Sequence, residues 1–312
     1  MRAVTFERIG GPEVLEYEEV PDPEPGEGKV LVEVEALGVN YRDVYEIGTE
    51  GYGSSPPAIV GVEGAGRVRE TGERVAWTGV PGSYAELVAA PANQLVPVPD
   101  EISSEVAAAA LLQGMTAHYL AHDSYPIEDG DWVLVHAAAG GVGPLLTQMA
   151  KLRGGRVIGT TSTEEKAALA REAGADEVIG YHDFARRARE ITGGMGMAAV
   201  YDGVGKATFL EGFDALAPTG TMILYGAASG RPDPLDMSVL QDRGSLYVQR
   251  PMLGVYIRTP ELLRERAAAL FELIAIGAVN VRIGAVYPLS QARQALEDLT
   301  GRRTTGKLLL TP

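Results

Sequence analysis

The chain contains no cysteine among its 312 residues. That excludes disulfides, thiolate nucleophiles and any zinc site built on cysteine. Histidine is scarce too, at four. His118 and His122 stand four apart on an expected helix, but no Glu follows His118 and no third ligand is apparent, so a zinc pair has no support. Positive charge is short, with 27 Lys and Arg against 42 Asp and Glu and a formal net charge of −15. So acidic a chain repels nucleic-acid phosphates and anionic lipid headgroups. No apolar run approaches the roughly 18 residues of a membrane span, and the first residues lack the pattern of a secretory leader. The Gly-x-Ser-x-Gly elbow of hydrolases and a Tyr-x-x-x-Lys pair are both absent. A cytoplasmic enzyme of about two domains, binding neither nucleic acid nor membrane, is the expectation.

What is present centres on Asp131–Lys166, DWVLVHAAAGGVGPLLTQMAKLRGGRVIGTTSTEEK. An apolar run, Trp132–Val135, ends in small residues and glycines. A helical pattern follows over Val142–Leu152, then a second strand over Arg156–Thr160. This is a βαβ unit of nucleotide-binding size. Ala138, Gly140 and Gly143 fit G-x-G-x-x-G with alanine at the first position. Gly140 would let the backbone approach a pyrophosphate, and Gly143 would let the helix pack closely on its strand. The helix N-terminus then offers N–H groups and a positive dipole end to phosphates.

The second strand selects the dinucleotide. NAD sites carry Asp or Glu about 20 residues past the glycines to hold the ribose 2′-hydroxyl. Here the strand ends Thr160, Thr161, Ser162, without a carboxylate. Ser162 and Glu165 have capping-box spacing, which puts Lys166 in a first turn where the helix dipole disfavours a cation. A 2′-phosphate opposite Lys166, beside the Thr161 or Ser162 hydroxyl, accounts for it, and NADP(H) is the expected cofactor.

Around this unit, residues 1–100 read as β-rich: Arg2–Phe6, Leu15–Glu19 and Val30–Gly38, two strands within 60–75, then Tyr84–Ala89 and Gln94–Val98, separated by Gly and Pro turns. That pattern suggests a partly closed barrel. From Ser103 the sequence turns helical. From Asp131 strands alternate with helices: Val133–His136, Val157–Thr160, Glu177–Gly180, Ala198–Tyr201, Thr221–Tyr225 and Ser245–Val248. Alternation of this kind predicts a doubly wound parallel sheet. Pro260–Gly277 and Ser290–Leu299 read as helices, Val279–Tyr287 and Lys307–Leu310 as strands.

Seven segments occur in order: GGPEVL at 10–15, GVNYRD at 38–43, QGMTAHYL at 113–120, HAAAGGVG at 136–143, YDGVG at 201–205, GSLYVQRP at 244–251 and TTGKLLL at 304–310. Together, over essentially the whole chain, they resemble the quinone oxidoreductase (zeta-crystallin-like) branch of the medium-chain dehydrogenase/reductases. The resemblance implies an α/β chain: a Rossmann doubly wound parallel sheet over 119–257 for NADPH, and a GroES-like β-barrel domain over 1–118 and 258–312 for the substrate. It implies chemistry in the cleft between them.

Carried over by position, Asn40 reaches the nicotinamide side of the cleft, with Asp43 and Tyr45 nearby and Tyr52 at the cleft mouth. Thr116 lies near the nicotinamide ribose. Ala139, Gly140, Gly141 and Val142 pass under the pyrophosphate, and Lys166 and Tyr181 flank the 2′-phosphate. Tyr225 and Ser229 match the loop at the nicotinamide, while Arg302 and Lys307 match cations that reach back toward the phosphates. Asn40, Tyr45, Tyr52 and Thr116 form the implied catalytic set, and Ser245–Val248 the edge strand of a homodimer. Zinc-dependent relatives have a His where this chain has Val62, so metal-free hydride transfer is implied. The segment between Gly66 and Gly72 is shorter than usual, implying a trimmed hairpin. Without metal, catalysis rests on geometry. A quinone suits such a site, because its reduced oxyanion is stabilised by conjugation; an enone would need a proton donor such as Tyr45 or Tyr52. Two alternatives stand beside quinone reduction: an enoyl or enone reductase, and a cofactor-binding sensor or structural protein with little turnover.

Overall fold

Short runs of alternating apolar residues between Gly and Pro turns produce eight strands in the first hundred residues. They are β1 (Arg2–Phe6), β2 (Leu15–Glu19), β3 (Lys29–Val39), β4 (Ala58–Ile59), β5 (Glu63–Val68), β6 (Arg74–Thr78), β7 (Leu87–Pro91) and β8 (Val96–Pro97). A helix, α1 (Tyr41–Gly48), follows β3; no helical period in the sequence had marked it. A computed structural model gives the structure of residues 1–312.

β3 explains the barrel. Its first half, Lys29–Glu33, pairs with β7, while Leu37–Val39 pairs with a C-terminal strand and the other edge runs along β5. A register shift between Val34 and Ala36 marks the bend that lets one strand change partners. β1 pairs with β2 and β4 in a small sheet of its own. Between β5 and β6 the chain reverses tightly, with Gly72 N–H donating to the Val68 carbonyl. Phe6, Leu37, Ile47, Trp77 and Tyr84 are fully buried at the centre. Each such side chain contributes about 1.5–3 kcal/mol by leaving water.

The long helix α2 (Ser104–Tyr119) runs on into one wider turn, Leu120–Ser124. Strands and helices then alternate: β9 (Trp132–Val135), α3 (Gly143–Leu152), β10 (Arg156–Thr160), α4 (Glu164–Glu172), β11 (Glu177–Ile179), α5 (Phe184–Ile191), β12 (Met197–Asp202), α6 (Phe209–Ala215), β13 (Leu216–Leu224), α7 (Ser238–Asp242), β14 (Tyr247–Gln249) and α8 (Leu253–Tyr256). The order across the sheet is β11-β10-β9-β12-β13-β14, all parallel. Counted from β9 this is 3-2-1-4-5-6, the doubly wound arrangement whose switch point lies between the first and fourth strands. Leu134, Ile158, Val200, Phe184 and Phe213 pack its core.

The tail supplies α9 (Pro260–Ala275), β15 (Ile283–Pro288), α10 (Ala292–Thr300) and β16 (Lys307–Thr311). β16 joins the first sheet, parallel to β15 and antiparallel to β3. By contacts the chain forms two units, Met1–Met115 with Ile257–Pro312, and Thr116–Tyr256. No helix is long and apolar enough to cross a membrane.

Candidate active site

In the parallel unit, the turn after β9 is clamped from both sides. His136 N–H donates to the Tyr201 carbonyl on β12, and Ala138 N–H donates to the Thr160 carbonyl on β10. Ala137 takes a left-handed backbone, φ 53°, with its N–H directed to the Tyr181 hydroxyl at 3.1 Å. Gly143 begins α3 where a Cβ would lie 2.4 Å from the Ala137 carbonyl oxygen and 2.7 Å from Ala138 Cα, so only glycine allows this approach. Val142 occupies the N-cap and offers no side-chain acceptor, and Pro144 has no N–H of its own. The remaining first-turn N–H groups of α3 are therefore uncapped by any side chain, which suits an external anion. His136 is fully buried beneath this turn; its Nδ1 pairs with Thr160 Oγ1 at 2.9 Å, and its ring meets Phe184 edge-on. Burial pushes its pKa down to about 3, so it is neutral and takes a packing role.

The cap of α4 differs from the sequence expectation by one residue. Thr163, rather than Ser162, is the N-cap, and its Oγ1 accepts the Lys166 N–H at 3.3 Å. Ser162 is left exposed ahead of the helix, and Lys166 keeps its first-turn position. Thr161 is buried, its N–H donated to the Ile179 carbonyl. Beyond β12, the buried Asp202 carboxylate accepts from Val204 N–H, Gly205 N–H and the Thr208 hydroxyl. Ser229 Oγ donates to the Val204 carbonyl and accepts from Ala207 N–H, joining the loops after β12 and β13. Ala139–Val142, Thr161, Ser162, Lys166, Tyr181, Tyr225 and Ser229 thus gather at the carboxyl edge of one parallel sheet, where such sheets bind ligands. Thr116, on α2, is buried within the same unit.

The barrel unit builds a different kind of centre. The Lys307 ammonium, 4% exposed, donates to Asn40 Oδ1 at 2.8 Å, Glu63 Oε2 at 2.7 Å and Gln113 Oε1 at 2.8 Å. Gln113 Nε2 also donates to Asn40 Oδ1, and Asn40 Nδ2 donates to Glu63 Oε2 and the Gly38 carbonyl. Glu63 Oε1 accepts from Leu112 N–H. Desolvation lowers the Lys307 pKa and the Glu63 carboxylate opposes it. All three donors of Lys307 are taken inside the barrel unit. Asn40 has both amide hydrogens and both carbonyl lone pairs in use, so it is a joint of this network. Glu63 and Gln113 were missed by sequence reasoning.

One turn along α1, buried Asp43 accepts Asn40 N–H and the Tyr84 hydroxyl through Oδ2, each at 2.8 Å, while Oδ1 has no hydrogen-bond partner and lies 3.9 Å from Arg42 Nη1. Burial pushes its pKa up to about 7, against the Tyr84 hydrogen bond. Tyr45 and Tyr52 meet edge-on with ring centres 5.6 Å apart. Arg302 is exposed ahead of β16, in a left-handed backbone with φ 56°.

One unit with a doubly wound parallel sheet and one barrel unit with a polar heart together define a nucleotide-dependent oxidoreductase of the two-unit kind. The comparisons agree. The family models for "Alcohol dehydrogenase GroES-like domain" and "Zinc-binding dehydrogenase" match residues 26–100 and 141–274. A quinone oxidoreductase of Pseudomonas aeruginosa is 42% identical, covering 100% of this chain and 99% of its own. A 2-haloacrylate reductase of Burkholderia is 38% identical over 99% of this chain and 98% of its own. The Escherichia coli quinone oxidoreductase complexed with NADPH superposes with a TM-score of 0.97 at 38% identity, covering 100% of both chains. A mycobacterial protein complexed with NADPH does so at 0.97 and 45%, again over 100% of both. The chain belongs to the quinone oxidoreductase branch of the medium-chain dehydrogenase/reductases. One matching description names zinc, and the residues here do not fit it: there is no cysteine, and no group of three or more His, Asp or Glu is placed to hold a metal.

Proposed function

We propose that this protein is an NADPH-dependent oxidoreductase that reduces quinones without a metal. The observation that carries the cofactor assignment is the β9–α3 turn with its uncapped helix start, next to a β10 end that offers hydroxyls and Lys166 instead of a carboxylate. Ala139–Val142 hold the pyrophosphate, and Lys166, with the Thr161 and Ser162 hydroxyls and Tyr181, holds the 2′-phosphate. Tyr225, Ser229 and Thr116 serve the nicotinamide end, and Arg302 is the remaining cation assigned to the phosphates. When bound, the cofactor supplies a hydride.

The rest is done by this chain's residues and by the acceptor. A quinone that gains a hydride becomes a phenoxide-like anion whose charge spreads over the ring, and a single proton completes the hydroquinone. Tyr45 or Tyr52 donates a hydrogen bond or that proton. The NADPH-complexed relatives, and the name shared by the Pseudomonas aeruginosa and Escherichia coli proteins, support this reading. We assign cofactor binding, Arg302 apart, to Thr116–Tyr256 and acceptor binding to the barrel unit.

A second reading, reduction of an activated C=C bond, is favoured by the similarity to the 2-haloacrylate reductase. NADPH consumption with 1,4-benzoquinone, 1,2-naphthoquinone and a panel of enones and haloacrylates separates the two. Turnover with quinones alone supports the first, turnover with alkenes alone the second, and tight NADPH binding without turnover overturns both. We also propose a cytoplasmic homodimer joined through the edge strand at 245–248, where Tyr247 and Val248 expose 64% and 39% of their surface at the end of the sheet. A monomer by analytical ultracentrifugation refutes the pairing.

A further inference from the structure

A charged pair on α1 has no part in the chemistry described so far. Arg42 and Glu46 are four residues apart, so their side chains share one helix face. Glu46 is fully buried. Its Oε2 accepts from Arg42 Nη1 at 3.3 Å, and its Oε1 accepts the Ser54 N–H at 3.1 Å. The Arg42 guanidinium also stands over the Tyr52 ring, 5.6 Å from its centre. Gly53 completes the wrap: its φ is +75°, and a Cβ there would lie 3.0 Å from the Glu46 side chain. The 49–55 loop therefore closes around one buried carboxylate, with Tyr52 between the Arg42 cation and the Tyr45 edge.

A carboxylate taken out of water costs several kcal/mol unless paired, and an apolar side chain at this position would spare that cost. What the charge provides is geometry: one acceptor for the loop backbone and one anchor for a cation that holds the ring.

We propose that Arg42 and Glu46 are positioning residues that clasp the Tyr52 loop, so that acceptor affinity, rather than cofactor binding or hydride transfer, depends on them. This rests on the reading that Tyr52 lines the acceptor site. The clasp itself is tested by amide hydrogen exchange of residues 49–55, which needs no substrate.

In Arg42→Met, exchange in that loop is expected to rise about tenfold while the β9–β14 sheet is unchanged, the effect of one partly buried ion pair with its ring contact. KM for naphthoquinone should rise roughly fivefold with kcat within about twofold and NADPH Kd unaltered, the pattern of lost uniform binding. Arg42→Lys should restore most of both, because an ammonium can still pair with Glu46. Glu46→Gln keeps an acceptor for Ser54 N–H and a similar volume, so it tests the ion pair even where Arg42→Met folds poorly; it should loosen the loop less than Arg42→Met.

Unchanged loop exchange in both Arg42→Met and Glu46→Gln overturns the clasp. So does a uniform rise across the barrel, which marks general destabilisation. A looser loop with unchanged KM overturns the link to the acceptor. Wild-type protein inert toward every quinone and alkene overturns the acceptor reading, and the exchange data then decide the clasp alone.

Discussion

The turn after β9 and the polar heart of the barrel are made from opposite materials. The first is main chain: small residues within eight positions of one another, two clamping backbone hydrogen bonds and a helix start without a side-chain cap. The second is side chains from Asn40, Glu63, Gln113 and Lys307, brought together from four distant parts of the sequence. A main-chain site tolerates no added atoms, whereas a side-chain network tolerates no missing charge. The two should fail differently when altered.

The largest effect is expected from Lys307→Met. It leaves Glu63 buried and unpaired, and breaking a buried ion pair by removing one partner costs about 3–5 kcal/mol. Urea unfolding should show that loss, while Lys307→Met with Glu63→Gln should recover much of it. A single variant as stable as wild type would mean the network is not held by charge.

Gly143→Val comes next. Its side chain must displace the Ala137 carbonyl and Ala138 backbone, so NADPH affinity should fall at least about tenfold, which is 1.4 kcal/mol, by fluorescence titration. Undiminished affinity would show that the turn does not carry the pyrophosphate.

The two buried titrating groups sharpen the comparison through pH. Asp43 is protonated in the folded barrel up to about pH 7 but ionises near its ordinary value when unfolded. The folded state thus holds an extra proton between those values, and stability falls as pH rises from about 4 to 7. Asp43→Asn should be more stable than wild type at pH 8, with the difference shrinking toward pH 4. His136 works the other way. Held neutral down to about pH 3, it binds fewer protons folded than unfolded, so its contribution is present above the ordinary histidine range and is lost as pH falls from about 6.5 to 3. Parallel melting curves of wild type and Asp43→Asn across pH 4–8 check the first sign. The smallest effect, a few-fold loss in kcat/KM with enones and little with quinones, is expected for Tyr52→Phe. Unaltered kcat/KM with every acceptor removes the proton-donor role of Tyr52.

The same contrast governs what could be read from the sequence. The turn, the parallel sheet and the barrel strands were legible, because each depends on local periodicity and on glycine placement over a few residues. Lys166 was legible as a cation where a helix dipole disfavours one, even though the cap proved to be Thr163. The hydrogen bond between Asn40 and Lys307 was not legible, since pairing across hundreds of residues leaves no periodic trace. A signal did exist: Glu63 and Gln113 each sit alone among small apolar residues, in GVEGAG and ALLQGM, and a polar residue in such company needs a buried partner. α1 was missed for a related reason. Its buried face is built from Asp43 and Glu46 beside Ile47, and two buried acids leave too short an apolar stripe to read.

The central claim is that a 2′-phosphorylated dinucleotide sits on the β9–α3 turn with Lys166 opposite its phosphate. Isothermal titration of the wild-type chain and of Lys166→Ala with NADPH and NADH tests it most directly. The account predicts that wild type binds NADPH at least about tenfold tighter than NADH, about 1.4 kcal/mol, and that Lys166→Ala erases most of that preference while leaving NADH binding unchanged. Equal affinities in the wild type, or tighter binding of NADH, would contradict it.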